Sequence, residues 1–287
     1  MSDLQVVAED KESNATVTQT NHLISASYRL TLDAKRLLML GISKVDSQAK
    51  LWKKGEHTVR IYADEWREYY DTDQKNVYRQ MKDGLAELYE SNVIVKETDE
   101  EGHSYRWISE KKYQTGEGWI EYTFTKNILL FLDSIHNTFT TYKLLNVGGL
   151  RSIHSIRIYE LCLQFKATGW RKMRIEDFRE ALGISENQYS LFADLKKRVI
   201  DSAVKEIVKK TNLNLQYELS RRGRKYTHIQ FYFSEKAQLS LDLTSDDNQV
   251  PVELIRERRK RKIPVKMEKL LDLDAIPRFV PLVSKKK

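Results

Sequence analysis

Arg221, Arg222, Arg224 and Lys225 place four cations in five positions around Gly223. Such charges at a tight turn repel one another unless an outside anion neutralises them, and a row of phosphates fits that need. A merely solubilising turn is the plainer alternative. The segment from Ser190 to Gln230 holds ten Lys and Arg against four Asp and Glu, net +6. This segment has the composition of folded protein, so its charge must be displayed on a surface. Upstream, Leu191, Leu195, Val199, Ala203 and Ile207 recur every four residues. That spacing predicts the buried stripe of a helix over about 188–210. Gln188, Ser190, Asp194, Lys196, Lys197 and Arg198 lie between the stripe's members and would face outward, with Tyr189 beside them. Lys and Arg suit phosphates or guanine edges, and Gln suits adenine. The helix start near 187–190 adds free N–H groups that favour phosphate. We take Gln188, Tyr189, Ser190, Asp194, Lys196, Lys197, Arg198, Arg221, Arg222, Arg224 and Lys225 as one candidate DNA-binding set.

Residue patterns for catalysis are missing. The sequence contains no G-x-x-x-x-G-K-[ST], so a P-loop ATPase is not expected. The six histidines, His22, His57, His103, His136, His154 and His228, are scattered, and no His-x-His pair offers a nickase metal site. No Cys/His zinc spacing and no Gly-x-Ser-x-Gly elbow occurs. We expect no catalytic residue, no metal and no cofactor. A Tyr-dependent strand-cutting enzyme is the rival from the enzyme class, since 15 tyrosines are present. The single cysteine, Cys162, falls in an apolar helical run and reads as core in a reducing cytoplasm.

Bulk properties agree with a polyanion partner. The chain has 287 residues, 31% of them charged, and a net charge of +8. A basic chain with no apolar run of about 18 residues first suggests nucleic acid rather than a membrane. The polar start, with Asp3, Glu9, Asp10 and Glu12, does not resemble a secretory signal. All four prolines follow residue 250, and all eleven glycines precede residue 224. This asymmetry separates a folded body from a tail of extended character. The tail carries the cluster Arg256 to Lys262, read either as a solvated run or as a phosphate-gripping extension.

The elements that position these residues form an internal repeat. Arg60-Ile61-Tyr62-Ala63-Asp64-Glu65-Trp66-Arg67-Glu68 echoes Arg174-Ile175-Glu176-Asp177-Phe178-Arg179-Glu180. Each echo is a short strand closing on an acidic helix start. A further helix precedes each echo, over Asp33–Val45 and Ile153–Lys166. A long amphipathic helix follows each, from about Gln74 to Ser91 and from Gln188 to Lys210. A hairpin closes each unit: Asn92–Glu97 with Tyr105–Lys111, and Leu213–Leu219 with Tyr226–Phe233. Helix, strand, helix, long helix and hairpin make a winged helix, whose third helix enters the major groove. The expected fold is α+β: two tandem winged-helix domains related by the repeat, plus a basic, Pro-containing C-terminal tail. Expected boundaries are a disordered arm at 1–20, domain 1 at 21–146, domain 2 at 147–236 and the tail at 237–287. The first long helix offers Lys75, Asn76, Tyr78, Arg79 and Lys82 as auxiliary DNA contacts, but Glu87 and Glu90 make its far end acidic. Its hairpin, with His103, Ser104 and Arg106, is a poorer wing.

These residues resemble the iteron-binding replication initiators of theta-replicating bacterial plasmids. The matching stretches are Ser155–Leu161, Phe178–Gly183, Tyr189, Phe192, Leu195–Ile200, Ala203–Ile207, Gly223-Arg224-Lys225 and Ile229-Gln230-Phe231. The resemblance covers roughly 21–233 and is strongest after residue 150. It implies a cytoplasmic, plasmid-encoded initiator that binds origin direct repeats as a monomer, with the second unit dominant. It implies a dimer, made through the first unit, that binds an inverted repeat and represses its own promoter. It also implies host replication proteins (an initiator and a helicase) and chaperones as partners. A winged-helix transcriptional repressor without an initiator role is the alternative. The sequence departs from the pattern at Ser202, where family members often carry Pro, so a straighter helix is expected there.

Past the second unit, Gln238-Leu239-Ser240-Leu241-Asp242-Leu243 reads either as a last strand or as a docking peptide. It looks like the hexapeptide by which bacterial proteins bind the polymerase sliding clamp. In that resemblance Gln238 is the polar anchor, and Leu239, Leu241 and Leu243 complete the apolar face.

Overall fold

The computed structural model describes residues 15–45, 57–70, 72, 75–96, 102–114, 116–132 and 138–236. The first fourteen residues, the basic tail and the clamp-like peptide with Gln238, Leu239, Leu241 and Leu243 lie outside the described residues.

The chain begins with β1 (Thr16–Thr20), α1 (Asn21–Ser25), β2 (Ser27–Tyr28) and α2 (Leu32–Ser43). Strand β3 (His57–Tyr62) leads into α3 (Ala63–Tyr69) and α4 (Val77–Glu90). Four strands follow: β4 (Asn92–Lys96), β5 (Gly102–Arg106), β6 (Ile108–Gln114) and β7 (Trp119–Phe124). Then come α5 (Lys126–Leu132), β8 (Phe139–Lys143) and α6 (Leu145–Gly148). The second unit is α7 (Ile153–Leu163), β9 (Trp170–Arg174), α8 (Ile175–Ala181), a long helical stretch, β10 (Leu213–Arg222) and β11 (Lys225–Glu235). Its long stretch consists of α9 (Phe192–Asp194), π-helical turns over Leu195–Asp201 and α10 (Ser202–Lys210). The two echoes fall on β3–α3 and β9–α8, as the repeat predicts.

Both units share one sheet topology. In the second, the order β10-β11-β9 places the echo strand against the second strand of the hairpin. In the first, the equivalent order is β6-β7-β3. The hairpin corresponding to the wing is therefore β6–β7, not the expected Asn92–Glu97 with Tyr105–Lys111. That run divides because Trp107 is fully buried between its two halves. Strand β5 pairs with β4 in a separate sheet with β2, while β6 turns to pair with β7.

The arm expected to be disordered to residue 20 is also corrected at its end. Thr16–Thr20 pairs with β8 from Thr16↔Lys143 to Thr20↔Phe139. Alternation explains the ordering: Val17 is buried inward, and Thr18 Oγ1 meets Thr141 Oγ1 at 2.9 Å outside.

A charged cluster joins the units through the core. The buried Glu160 of α7 accepts hydrogen bonds from Lys35 Nζ at 2.8 Å, Gln19 Nε2 at 2.8 Å and Tyr142 Oη at 2.5 Å. Arg157, one turn earlier, donates to Tyr28 Oη at 2.5 Å and to the Ala26 and Ala181 carbonyls. Burial alone would raise the Glu160 carboxyl, but Lys35 and Arg157 beside it hold it below its ordinary value. Within the second unit α7 is tied to the long helix, where Ser155 Oγ donates to Glu206 of α10 at 2.6 Å.

Candidate nucleic-acid interface

The long helix of the second unit meets its wing through aromatic rings. Phe192 and Tyr226 stack with centroids 4.1 Å apart, and the Arg221 guanidinium lies 4.1 Å from the Tyr226 ring. Cation–π and stacking contacts of this kind contribute about 1 kcal/mol each. They tie β10 and β11 to the start of the helix, so the wing is braced rather than hinged. The tip is a two-residue loop, Gly223-Arg224, between paired Arg222 and Lys225. Gly223 has φ +61, and glycine at the first loop position suits a tight hairpin turn. The tip projects Arg222 and Arg224 into solvent, and neither has an ion-pair partner among the described residues. Lys225 reaches Glu176 at 3.4 Å, an exposed pair that a phosphate could displace at small cost.

The π-helical turns explain how the apolar stripe works. A four-residue step overshoots an α-helical turn by about 40°, so a strict four-residue repeat drifts off one face. The wider π turn corrects the drift, and Leu195, Val199, Ala203 and Ile207 all stay buried. The π turns end at Asp201, and the regular α10 begins at Ser202, where family members often carry Pro. Leu191, expected in the stripe, is instead 67% exposed.

The candidate residues on this helix have different surroundings. Lys197 is exposed with no ion-pair partner among the described residues, and Arg198 is exposed with a 3.3 Å contact to Asp194. Lys196 is held by Asp201 at 2.8 Å, and Tyr217 donates to the same carboxylate. The Asp201 bond raises the Lys196 ammonium above its ordinary range, a fixed pair at the base of the wing. The Gln188 side chain accepts from the Ser185 N–H at 3.2 Å and so closes its own turn, while Ser190 is exposed. Tyr189 adopts φ +50, the one non-glycine residue with positive φ among those described, and its ring packs edge-on to His154.

Arg179 of α8 explains how that turn is held. Its guanidinium donates to the carbonyls of Ser185 at 2.8 Å, Gln188 at 2.5 Å and Tyr189 at 3.1 Å. Sequence reasoning missed this role, although Arg179 sits in the Arg-Glu pair of the echo. Phe192, Tyr226 and Glu176 were missed as positioning residues too.

The first unit is less open. Asn76 precedes α4 and accepts from Arg79 at 3.0 Å, and Lys82 lies 4.4 Å from the Tyr113 ring. Lys75 is exposed. Tyr78 packs on the core with its hydroxyl buried, so little of it is presented outward.

Two family models match this chain: "Initiator Replication protein, WH1" over residues 16–163 and "Initiator Rep protein, WH2" over 174–233. The chain belongs to the initiator replication protein family. WH1 and WH2 are its two winged-helix domains, and the WH1 match includes α7, placed by the sequence reading in the second domain. The chain is 29% identical to an uncharacterized 27.6 kDa protein of Escherichia coli, covering 72% of this chain and 91% of that protein. It is 25% identical to the PI protein of Escherichia coli, covering 79% and 85%. The fold matches the crystal structure of Pi initiator protein in complex with iteron DNA, with a TM-score of 0.66 and 22% identity over 78% of this chain and 99% of that one. Among the described residues, no helix is long and apolar enough to cross a membrane, and no group of three His, Cys, Asp or Glu is placed for a metal.

Proposed function

We propose that this initiator binds double-stranded direct repeats, iterons, at a plasmid origin. The observation that carries the reading is the braced unit of WH2. A helix and a wing stacked through Phe192 and Tyr226 display Lys197, Arg198, Arg222 and Arg224. The helix enters the major groove, and the wing tip neutralises neighbouring phosphates. Gln188, Tyr189, Ser190, Asp194, Lys196, Arg221 and Lys225 complete the contact surface or hold it in shape. WH1 adds contacts through Lys75, Asn76, Tyr78, Arg79 and Lys82. The crystallised Pi relative, in complex with iteron DNA, supports the same mode.

The wider role follows from that binding. Monomers on tandem repeats bend the duplex, and cooperative packing offsets a bending cost of a few kcal/mol. The neighbouring duplex then opens, and the host initiator and helicase are recruited. Dimers, interconverted with monomers by chaperones, bind an inverted repeat and repress the chain's own promoter. The peptide at Gln238, Leu239, Leu241 and Leu243 engages the sliding clamp. The protein works in the bacterial cytoplasm by binding, without catalysis or a cofactor.

A footprint on the DNA flanking its own gene tests the reading. Periodic protection over direct repeats, with no covalent protein–DNA product, is expected. Protection of a single inverted repeat alone would make the protein a repressor without an initiator role. A covalent product would make it a strand-cutting enzyme.

A further inference from the structure

Leu191 is more exposed than any other large hydrophobic residue described, at 67%. Its backbone is nonetheless fixed. It has extended φ and ψ of −82° and 128°, and its carbonyl accepts from the N–H groups of Asp194 at 3.0 Å and Leu195 at 3.2 Å. Arg179 holds the turn before it, and the Phe192–Tyr226 stack holds the residue after it. The backbone that carries this side chain is therefore fixed immediately before the first turn of the helix.

Its surroundings narrow the partner. Ser190 is exposed just before Leu191, Lys197 and Arg198 are exposed on the helical stretch that follows, and the Arg222–Arg224 tip belongs to the wing braced against that stretch. Phosphate gives an isolated leucine nothing to bury against. Residues at the start of a recognition helix meet base edges in the major groove. Across that groove the base edges offer one apolar group, the C5-methyl of thymine.

We propose that Leu191 is a specificity-determining residue that reads a thymine C5-methyl group within each repeat. The inference rests on the proposed binding of direct repeats by WH2.

The test uses the full chain and duplexes of the footprinted repeat in which each thymine is replaced in turn by deoxyuridine. That change removes the methyl group and leaves the base-pairing edge intact. Wild-type protein should lose about fourfold in affinity at one thymine per repeat, the value of one buried methyl-sized group. Leu191→Ala should bind thymine and deoxyuridine equally at that position and keep the wild-type response to salt. Wild-type indifference to every replacement would overturn the inference while leaving repeat binding intact. So would a Leu191→Ala protein that retains the full penalty at the same thymine, since the methyl group would then be read by another residue. Wild-type failure to bind any repeat would overturn the proposed function, and this inference with it.

Discussion

Arg179 Nη1 donates to the carbonyl oxygen of Tyr189 at 3.1 Å, linking the helix before the turn to a residue held at φ +50. A non-glycine residue in that region carries about 1–3 kcal/mol of strain, which persists only where the surroundings over-determine it. Here the same guanidinium also holds Ser185 and Gln188, so one side chain sets the approach to the reading helix. Replacing Arg179 by Ala removes the clamp and none of the outward-facing cations. Affinity for the specific repeat should fall by about 1.5–3 kcal/mol, the range for hydrogen bonds to a charged group. Binding to unrelated duplex should change little. Titrations on both duplexes check this, and an equal loss on both would mean that Arg179 acts on phosphate.

The wing and the helix should separate by salt dependence. Arg222→Ala and Arg224→Ala each remove one phosphate partner, so each should reduce the slope of log affinity against log salt by about 0.9. Lys197→Ala and Arg198→Ala should cost about 1–3 kcal/mol each on the cognate repeat and relax base preference there. Affinities measured over a series of salt concentrations would show whether the two pairs differ in this way.

The buried cluster predicts a pH dependence of stability. The Glu160 carboxyl is lower in the folded chain than its ordinary value of 4.5. The unfolded chain therefore binds the proton more readily, and stability rises with pH through that window. The contribution is complete above about pH 4.5 and is lost as pH falls through the lower folded value. Glu160→Gln leaves Lys35 and Arg157 without their buried counter-charge and should cost about 3–5 kcal/mol near neutral pH. Its stability should also depend less on pH in the acid range. Denaturant titrations at several pH values, on wild type and variant, test both points.

Two glycines with similar positive φ should respond very differently to alanine. Gly183 has φ +67, and an added Cβ would stand 2.2 Å from the Tyr28 carbonyl oxygen. Gly223 has φ +61 and nothing within 4 Å. Gly223→Ala should cost only the left-handed backbone term of about 1–2 kcal/mol. Gly183→Ala carries that term and must also displace β2 from α8, so its loss should exceed that of Gly223→Ala. Equal losses in chemical denaturation would contradict the close approach.

Much of this architecture was legible along the chain. The echo around Trp66 and Phe178 marked both units, because a strand closing on an acidic helix start is local chemistry. The tip at Gly223 was equally local. What escaped the reading depends on distant partners. Glu160 draws its donors from Gln19 and Lys35, more than a hundred residues away, and no periodicity announces them. Trp107 divides what reads as one strand because each half finds a different neighbour. Leu191 matched the four-residue repeat of the buried stripe, yet it precedes the helix proper and points outward. The roles of Arg179, Phe192 and Tyr226 arise only when the turn, the helix and the wing come together.

The most direct test of the account is the affinity of one variant for the repeat protected in the footprint. The variant carries Lys197→Ala, Arg198→Ala, Arg222→Ala and Arg224→Ala together. All four side chains are exposed, so its unfolding midpoint should stay close to wild type. Its specific binding should fall to the level of unrelated duplex. A stable variant that still binds the repeat as tightly as wild type would show that DNA is read elsewhere on the molecule.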